Sequence, residues 1–161
     1  MKNYFEVFNL PINFDIDLAQ LEKNYLQLQQ QHHPDTSNID SIENSILINH
    51  AYKILSNDLL RAIHMLQISG IDIENDENHI KPKLSTLNEV LDLQEKIHQI
   101  SELDQILSLK NQLKNDVQSL ILNFCQSYEK NDLNHATQVL IKAKYLTKSM
   151  QDLKLKEKSS N

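Results

Sequence analysis

The tripeptide His33-Pro34-Asp35 separates two stretches of helical spacing and constrains how the first half of the chain can fold. Apolar residues recur every three or four positions over 18–28, and again from about residue 42 to residue 59. Pro34 has no backbone N–H and keeps His33 out of the helical region, so the first helix must end at or before it. Because the connection is short, we expect the two helices to form an antiparallel hairpin.

The tip of this hairpin is the first candidate site. It would present the imidazole of His33 and the carboxylate of Asp35 to solvent on a rigid support, which suits recognition by a partner. The tripeptide alone also permits a simpler interpretation, a proline stop followed by a turn-forming Asp.

The rest of the chain also favours helices. Its 161 residues include one Gly and three Pro, and no useful stretch alternates apolar and polar residues, so we expect an all-α fold without a sheet. Asp15 or Asp17 can cap the first long helix. Asp40 followed by Glu43 fits a capping box at the start of the next helix.

Two domains are predicted. Residues 1–71 would form the first, 72–83 a polar linker, and 84–161 a second domain built as a three-helix bundle. The three helices of the bundle are expected over 84–101, 103–130 and 133–156. The lysine-rich end from residue 154 onwards is expected to fray.

Composition excludes several classes of function. A net charge of −6 argues against nucleic-acid binding, and the lone Cys125 excludes an internal disulfide. No two of the seven histidines are spaced i,i+3 or i,i+4, and no Ser/His/Asp pattern stands out. We therefore predict no catalytic residue, no cofactor and no metal. No apolar run has signal or membrane-span length, so a reducing cytoplasm is expected.

The stretch over 84–100 has two apolar faces. One stripe can face the bundle, and it consists of Val90, Leu93, Ile97 and Ile100. The nearly opposite face carries Leu84, Leu87 and Leu91, flanked by Asn88, Asp92, Glu95 and Gln99. A bundle needs one apolar face per helix, so the second face either packs on the first domain or is exposed for a partner.

Tyr145 is a similar exception in the last helix. It lies about 150° from the centre of that helix's apolar stripe, among Lys142, Lys144 and Lys148. It is either a binding anchor, a surface tyrosine or an interdomain contact.

The first domain resembles the J domain, the module by which co-chaperones contact DnaK-type chaperone ATPases. The matching residues are His33-Pro34-Asp35 between two helices and the segment Ile48–Leu55 on the second. The whole chain resembles HscB, the J-type co-chaperone of iron–sulfur cluster assembly. This likeness rests on the segment Tyr4–Pro11, on Arg61-Ala62, and on the pattern from Leu87 to Ile100.

The resemblance implies a non-enzymatic bacterial co-chaperone. It would stimulate the ATPase of an HscA/DnaK-type chaperone and deliver to it the iron–sulfur scaffold protein IscU. The chaperone-binding residues implied are His33, Pro34, Asp35 and Lys23. The scaffold-binding residues implied are Leu87, Leu91, Asp92, Glu95 and Tyr145. The alternative is a J-domain co-chaperone whose C-terminal bundle binds a different client.

Three positions and one helix face depart from the family pattern. Asn88 replaces an expected apolar side chain and Gln99 an expected acid, so both are expected to weaken scaffold binding. Thr36 replaces an expected Lys after the tripeptide. Lys23 is almost the only basic residue on a helix that is usually basic on its outer face, so the contact with the chaperone is expected to be weaker or altered.

Overall fold

The computed structural model describes residues 2–31, 39–75 and 80–159. These residues form seven helices and, within those ranges, no strand, which confirms the all-α fold class. The helices are α1 (Tyr4–Val7), α2 (Leu18–Gln31), α3 (Ile39–Leu55), α4 (Asp58–Ile68), α5 (Leu84–Gln99), α6 (Leu103–Glu129) and α7 (Leu133–Ser159). The chain divides into two compact units, Met1–Ile71 and Asp72–Asn161.

In the N-terminal unit, α2 and α3 form an antiparallel hairpin. The rings of Tyr25 and Tyr52 stack with their centroids 4.1 Å apart, and the Tyr25 hydroxyl donates to Asn49 Oδ1 at 2.9 Å. Gln29 donates to the same Asn49 oxygen at 2.6 Å. Residues further along α2 thus contact residues earlier in α3, so the two helices run in opposite directions. Helix α1 packs against α3, and its Phe5 is fully buried.

The N-terminal cap predicted for α2 is observed, whereas the one predicted for α3 is not. Asp17 Oδ1 accepts hydrogen bonds from the backbone N–H groups of Ala19 (2.9 Å) and Gln20 (3.1 Å), so Asp17 caps α2. The predicted capping box at Asp40 is wrong, because α3 already includes Ile39. Asp40 instead lies in the first helical turn, where a carboxylate stabilises the positive end of the helix dipole.

Two buried polar side chains hold α4 in the N-terminal unit. Arg61, 4% exposed, donates to the carbonyl oxygens of Phe14 (2.8 Å) and Leu55 (2.6 Å) and forms an ion pair with Asp58 at 2.7 Å. Its guanidinium also lies over the Phe14 ring, 4.5 Å from the centroid. A buried cation is stable here because each of its three nitrogens donates to one of these acceptors.

His64 is the second of these side chains. Its Nε2 accepts a hydrogen bond from the Tyr4 backbone N–H at 3.0 Å, and its ring stacks on Tyr4 with the centroids 4.4 Å apart. An accepting Nε2 carries no proton, so the ring is neutral with its hydrogen on Nδ1, which faces Gln67 Oε1 at 3.4 Å. Burial lowers the pKa of His64 below its ordinary value, and the neighbouring His50 lowers it further, although the hydrogen bond to Gln67 acts in the opposite direction.

The C-terminal unit is a three-helix arrangement in which α6 and α7 form an antiparallel pair. Their turn contains Asn131 in the left-handed region (φ 58°), and Asp132 Oδ1 accepts from the His135 backbone N–H at 3.0 Å, capping α7. Buried side chains line the interior of the unit, among them Ile106, Phe124, Leu140 and Leu153.

Helix α5 runs parallel to α7. The Gln94 side chain donates to Ser149 Oγ at 3.0 Å, and Lys142 forms an ion pair with Glu89. Further along both helices, Lys156 Nζ donates to the Ile97 carbonyl oxygen at 2.6 Å. The contacting residues therefore follow each other in the same order along α5 and α7, as they must in two parallel helices.

The expectation of a fraying C-terminus is wrong for residues 154–159. Helix α7 continues to Ser159 because its last turns are attached to both neighbouring helices. Lys156 Nζ donates to the carbonyl oxygens of Ile97 and His98 at the open end of α5, and Glu157 forms an ion pair with Lys110 of α6. Carbonyls at the end of a helix lack intrahelical partners, so the ammonium group of Lys156 completes the end of α5.

Candidate functional site

Helix α5 exposes three leucines on one face. Leu84 is 73% exposed, Leu91 67% and Leu87 36%, and the first two are the most exposed large apolar side chains of the described residues. The opposite face packs into the C-terminal unit, where Ile97 is buried and Leu93 is half-buried. The second apolar face that the spacing of the leucines predicted is therefore exposed.

Acidic and amide side chains lie beside the leucines. Asp92 and Glu95 are both exposed, as is Asn88, which lies between Leu84 and Leu91 along the helix axis. Gln99 donates to Glu95 Oε1 at 3.1 Å, one turn away. Gln99 thus helps to orient the Glu95 carboxylate. The result is a surface with an apolar centre and an acidic edge, which fits a partner with an apolar patch beside basic side chains.

The structure places Tyr145 on the side of α7 that faces α5. Three residues before it, Lys142 pairs with Glu89, and four residues after it, Ser149 accepts the hydrogen bond from Gln94. These two contacts bracket Leu91 on α5, so Tyr145 lies at the same level as Leu91 along the parallel pair. Its ring is half-buried. Two of the lysines around it are already engaged, since Lys142 pairs with Glu89 and Lys144 with Glu74.

In the N-terminal unit, Lys23 is exposed on the outer face of α2, the face opposite the fully buried Leu21. His33, Pro34 and Asp35 lie outside the described residues, as does Thr36. What the structure describes is their support, the hairpin joined through Tyr25, Gln29 and Asn49.

Sequence reasoning missed two features near these surfaces. Leu26 is 53% exposed and lies one turn from Lys23, so the outer face of α2 has an apolar side chain beside its cation. Leu26 does not fall on the apolar stripe of α2, and this position in the helical repeat was the sequence signal that could have indicated its exposure. The second feature is Gln138, which accepts from the Lys83 backbone N–H at 3.1 Å and donates to the Lys81 carbonyl oxygen at 3.0 Å. Nothing in the sequence indicated this contact.

Within residues 2–31, 39–75 and 80–159, no group of three His, Cys, Asp or Glu side chains converges as a metal site requires. Cys125 is half-buried. No helix in this described part of the chain has the length and apolar character needed to cross a membrane.

Two family models match the chain. The DnaJ domain matches residues 3–64, and the family described as the HSCB C-terminal oligomerisation domain matches residues 83–154. The co-chaperone protein HscB homolog of Acinetobacter baylyi is 34% identical over 155 residues, covering 94% of this chain and 88% of the relative. The co-chaperone protein HscB of Proteus mirabilis is 33% identical over 135 residues, covering 80% and 71%.

Solved structures agree with these sequence matches. The crystal structure of human co-chaperone protein HscB superposes with a TM-score of 0.86 at 26% identity, covering 98% of this chain and 83% of the human one. The same order of a DnaJ domain and an HscB C-terminal domain is therefore present in sequence and in fold. The chain belongs to the HscB family of J-type co-chaperones, which act with an Hsp70-type chaperone in iron–sulfur cluster assembly.

Proposed function

We propose that this protein is an adaptor that holds an IscU-type scaffold protein on its C-terminal unit while its N-terminal unit docks on an HscA-type ATPase. The observation that carries the proposal is the solvent-exposed leucine face of α5, with its acidic edge. Keeping such side chains in water costs free energy that a partner recovers on binding. The proposal assigns no catalytic residue, cofactor or metal, and it places the protein in the bacterial cytoplasm.

The scaffold contact is assigned to five residues. Leu87 and Leu91 supply the apolar centre, Asp92 and Glu95 the acidic edge, and Tyr145 an aromatic anchor from α7. Two parallel helices support this surface, and they are joined on both sides of Leu91 by the Lys142–Glu89 and Gln94–Ser149 contacts. A surface held in one arrangement before binding loses little conformational entropy when the partner arrives.

The chaperone contact is assigned to His33, Pro34 and Asp35, which lie between α2 and α3 in the sequence, together with Lys23 on α2. Asp35 would pair with a cation of the chaperone, and His33 and Pro34 would contribute to the same contact. To promote ATP hydrolysis, these residues must bind the hydrolysis-competent state of the chaperone more tightly than its other states.

Because one chain carries both contacts, it brings the bound scaffold close to the chaperone. The scaffold is then present near the chaperone at the high effective concentration that a covalent connection provides. Delivery and ATPase stimulation thereby become coupled, although the adaptor itself performs no chemistry.

The proposal is tested by calorimetric titration with the IscU-type scaffold of the same organism. Leu91→Ala is expected to weaken scaffold binding by about tenfold or more, as expected for a leucine near the centre of an interface. Leu122→Ala is the matched control, because Leu122 is 62% exposed but lies on α6. Asp92→Asn is expected to reduce the salt dependence of binding, since it removes a charge from the edge.

Two outcomes would contradict the assignment. Absence of scaffold binding by the wild-type protein, combined with normal stimulation of the chaperone ATPase, would mean that the C-terminal unit serves a different client. Equal affinities of the Leu91→Ala and Leu122→Ala variants would move the scaffold contact away from α5.

A further inference from the structure

We infer that Leu84 is a further contact for the scaffold partner, one that extends the recognition surface by a helical turn and offsets the loss of an apolar side chain at Asn88. This inference rests on the proposed function and adds to it a residue that determines affinity. Leu84 is the first residue of α5 and, at 73% exposure, the most exposed large apolar side chain in the ranges that the structure describes.

The helical repeat places Leu84 on the same face as the other two leucines. Leu84, Leu87 and Leu91 fall within about 60° of arc around α5, and they span about two turns of the helix. Asn88 lies just outside this arc, about 40° from Leu84 around the helix axis. A partner that reaches Leu91 and Leu87 along the helix therefore meets Leu84 next.

The first residue of a helix is usually poorly held, but the start of α5 is fixed from outside. The N-cap residue Lys83 makes no side-chain capping hydrogen bond. Instead, the Gln138 side chain of α7 accepts from the Lys83 backbone N–H at 3.1 Å and donates to the Lys81 carbonyl oxygen at 3.0 Å. This two-bond contact, the Gln138 clamp, satisfies a backbone donor that the start of a helix leaves open. It holds Leu84 in one position, so that binding orders little further backbone.

Charges on either side of the leucines define the partner's chemistry. Lys81 and Lys83 are exposed at the N-terminal end of the surface, whereas Asp92 and Glu95 form its other edge. The complementary surface is an apolar patch of a folded protein, with basic side chains facing Asp92 and Glu95 and acidic ones at the lysine end. We assign this surface to the scaffold protein, because the leucines of the proposed scaffold contact continue into Leu84 without an interruption of the face.

The test measures dissociation constants for the IscU-type scaffold of the same organism with the full-length protein. Leu84→Ala is expected to weaken binding by about tenfold, and the control Leu122→Ala to change it by less than about twofold. Circular dichroism is expected to show unchanged helix content for both variants, since both side chains are exposed.

A double-mutant cycle tests the clamp. Gln138→Ala is expected to weaken scaffold binding by about threefold in the wild-type background and to have no effect in the Leu84→Ala background, because Gln138 acts through the position of Leu84. A general loss of structure would instead weaken binding in both backgrounds.

The outcomes separate this inference from the proposed function. If the wild-type protein binds the scaffold and Leu84→Ala behaves like Leu122→Ala, the inference is wrong and the proposed function stands. If the wild-type protein does not bind the scaffold, both are wrong. If sedimentation shows a dimer that Leu84→Ala dissociates without changing scaffold affinity, the face binds a second copy of the chain and the inference is overturned.

Discussion

The environment of His64 predicts that the N-terminal unit loses stability in mild acid. The Nε2 atom of His64 accepts a hydrogen bond from the Tyr4 backbone N–H, so protonating the ring removes this bond and creates a buried charge. Burial lowers the pKa of His64 below the ordinary 6.5, with His50 adding to the effect. The unfolded chain therefore binds more protons than the folded one just below pH 6.5.

The sign and size of the effect follow from proton linkage. Stability rises with pH wherever the unfolded state binds more protons, so the contribution is complete above the ordinary pKa and is lost as pH falls towards the lowered one. A single group with an ordinary pKa of 6.5 can contribute at most about 1.4 kcal/mol to the loss of stability between pH 7.5 and pH 5.5.

The assay is urea unfolding at these two pH values, followed through NMR amide signals of residues 39–71 so that the N-terminal unit is observed by itself. His64→Gln is the control, because it cannot titrate in this range. The wild-type unit is expected to lose up to about 1.4 kcal/mol more than the variant on acidification. Equal losses in both proteins, or a His64 ring that titrates above its ordinary pKa, would refute the reasoning.

Three further substitutions are informative. Arg61→Met is expected to destabilise the N-terminal unit by about 3 kcal/mol, because it leaves buried carbonyl oxygens without donors. A decrease of less than about 1 kcal/mol in the free energy of unfolding, measured in urea, would contradict this. Asn88→Leu is expected to tighten scaffold binding by about tenfold in calorimetry, whereas Asn123→Leu, an exposed control on α6, is expected to leave it unchanged. Lys156→Met is expected to raise the hydrogen-exchange rates of the last turn of α7 about tenfold, and unchanged rates would show that its bonds to α5 do not hold this turn.

Local signals in the sequence are sufficient for most of the helices. The helices predicted over 103–130 and 133–156 are observed at Leu103–Glu129 and Leu133–Ser159, because apolar spacing and the cap at Asp132 are local properties. The sequence-based predictions fail where contacts between residues that are distant in the sequence determine the local structure. The end of α7 is held by contacts with α5 and α6, more than forty residues away in the chain, and no local pattern contains that information.

The features of the candidate surfaces were likewise predictable from the sequence only where they depend on local spacing. The second apolar face of α5 was visible in the spacing of its leucines, and its exposure is now observed. The level of Tyr145 beside Leu91 was not predictable, since it depends on α5 and α7 running parallel. Lys23 was predicted on α2, but the exposure of Leu26 beside it requires the packing of the hairpin. The roles assigned to His33, Pro34 and Asp35 rest on the family resemblance and stay predictions.

The most direct test is single-turnover ATP hydrolysis by the cognate HscA-type chaperone, with this protein, with its IscU-type scaffold, and with both. Stimulation by the protein alone that increases further when the scaffold is added, and that is lost in the His33→Gln variant, is the predicted result. Stimulation that is indifferent to the scaffold, or that survives His33→Gln, would contradict the adaptor mechanism.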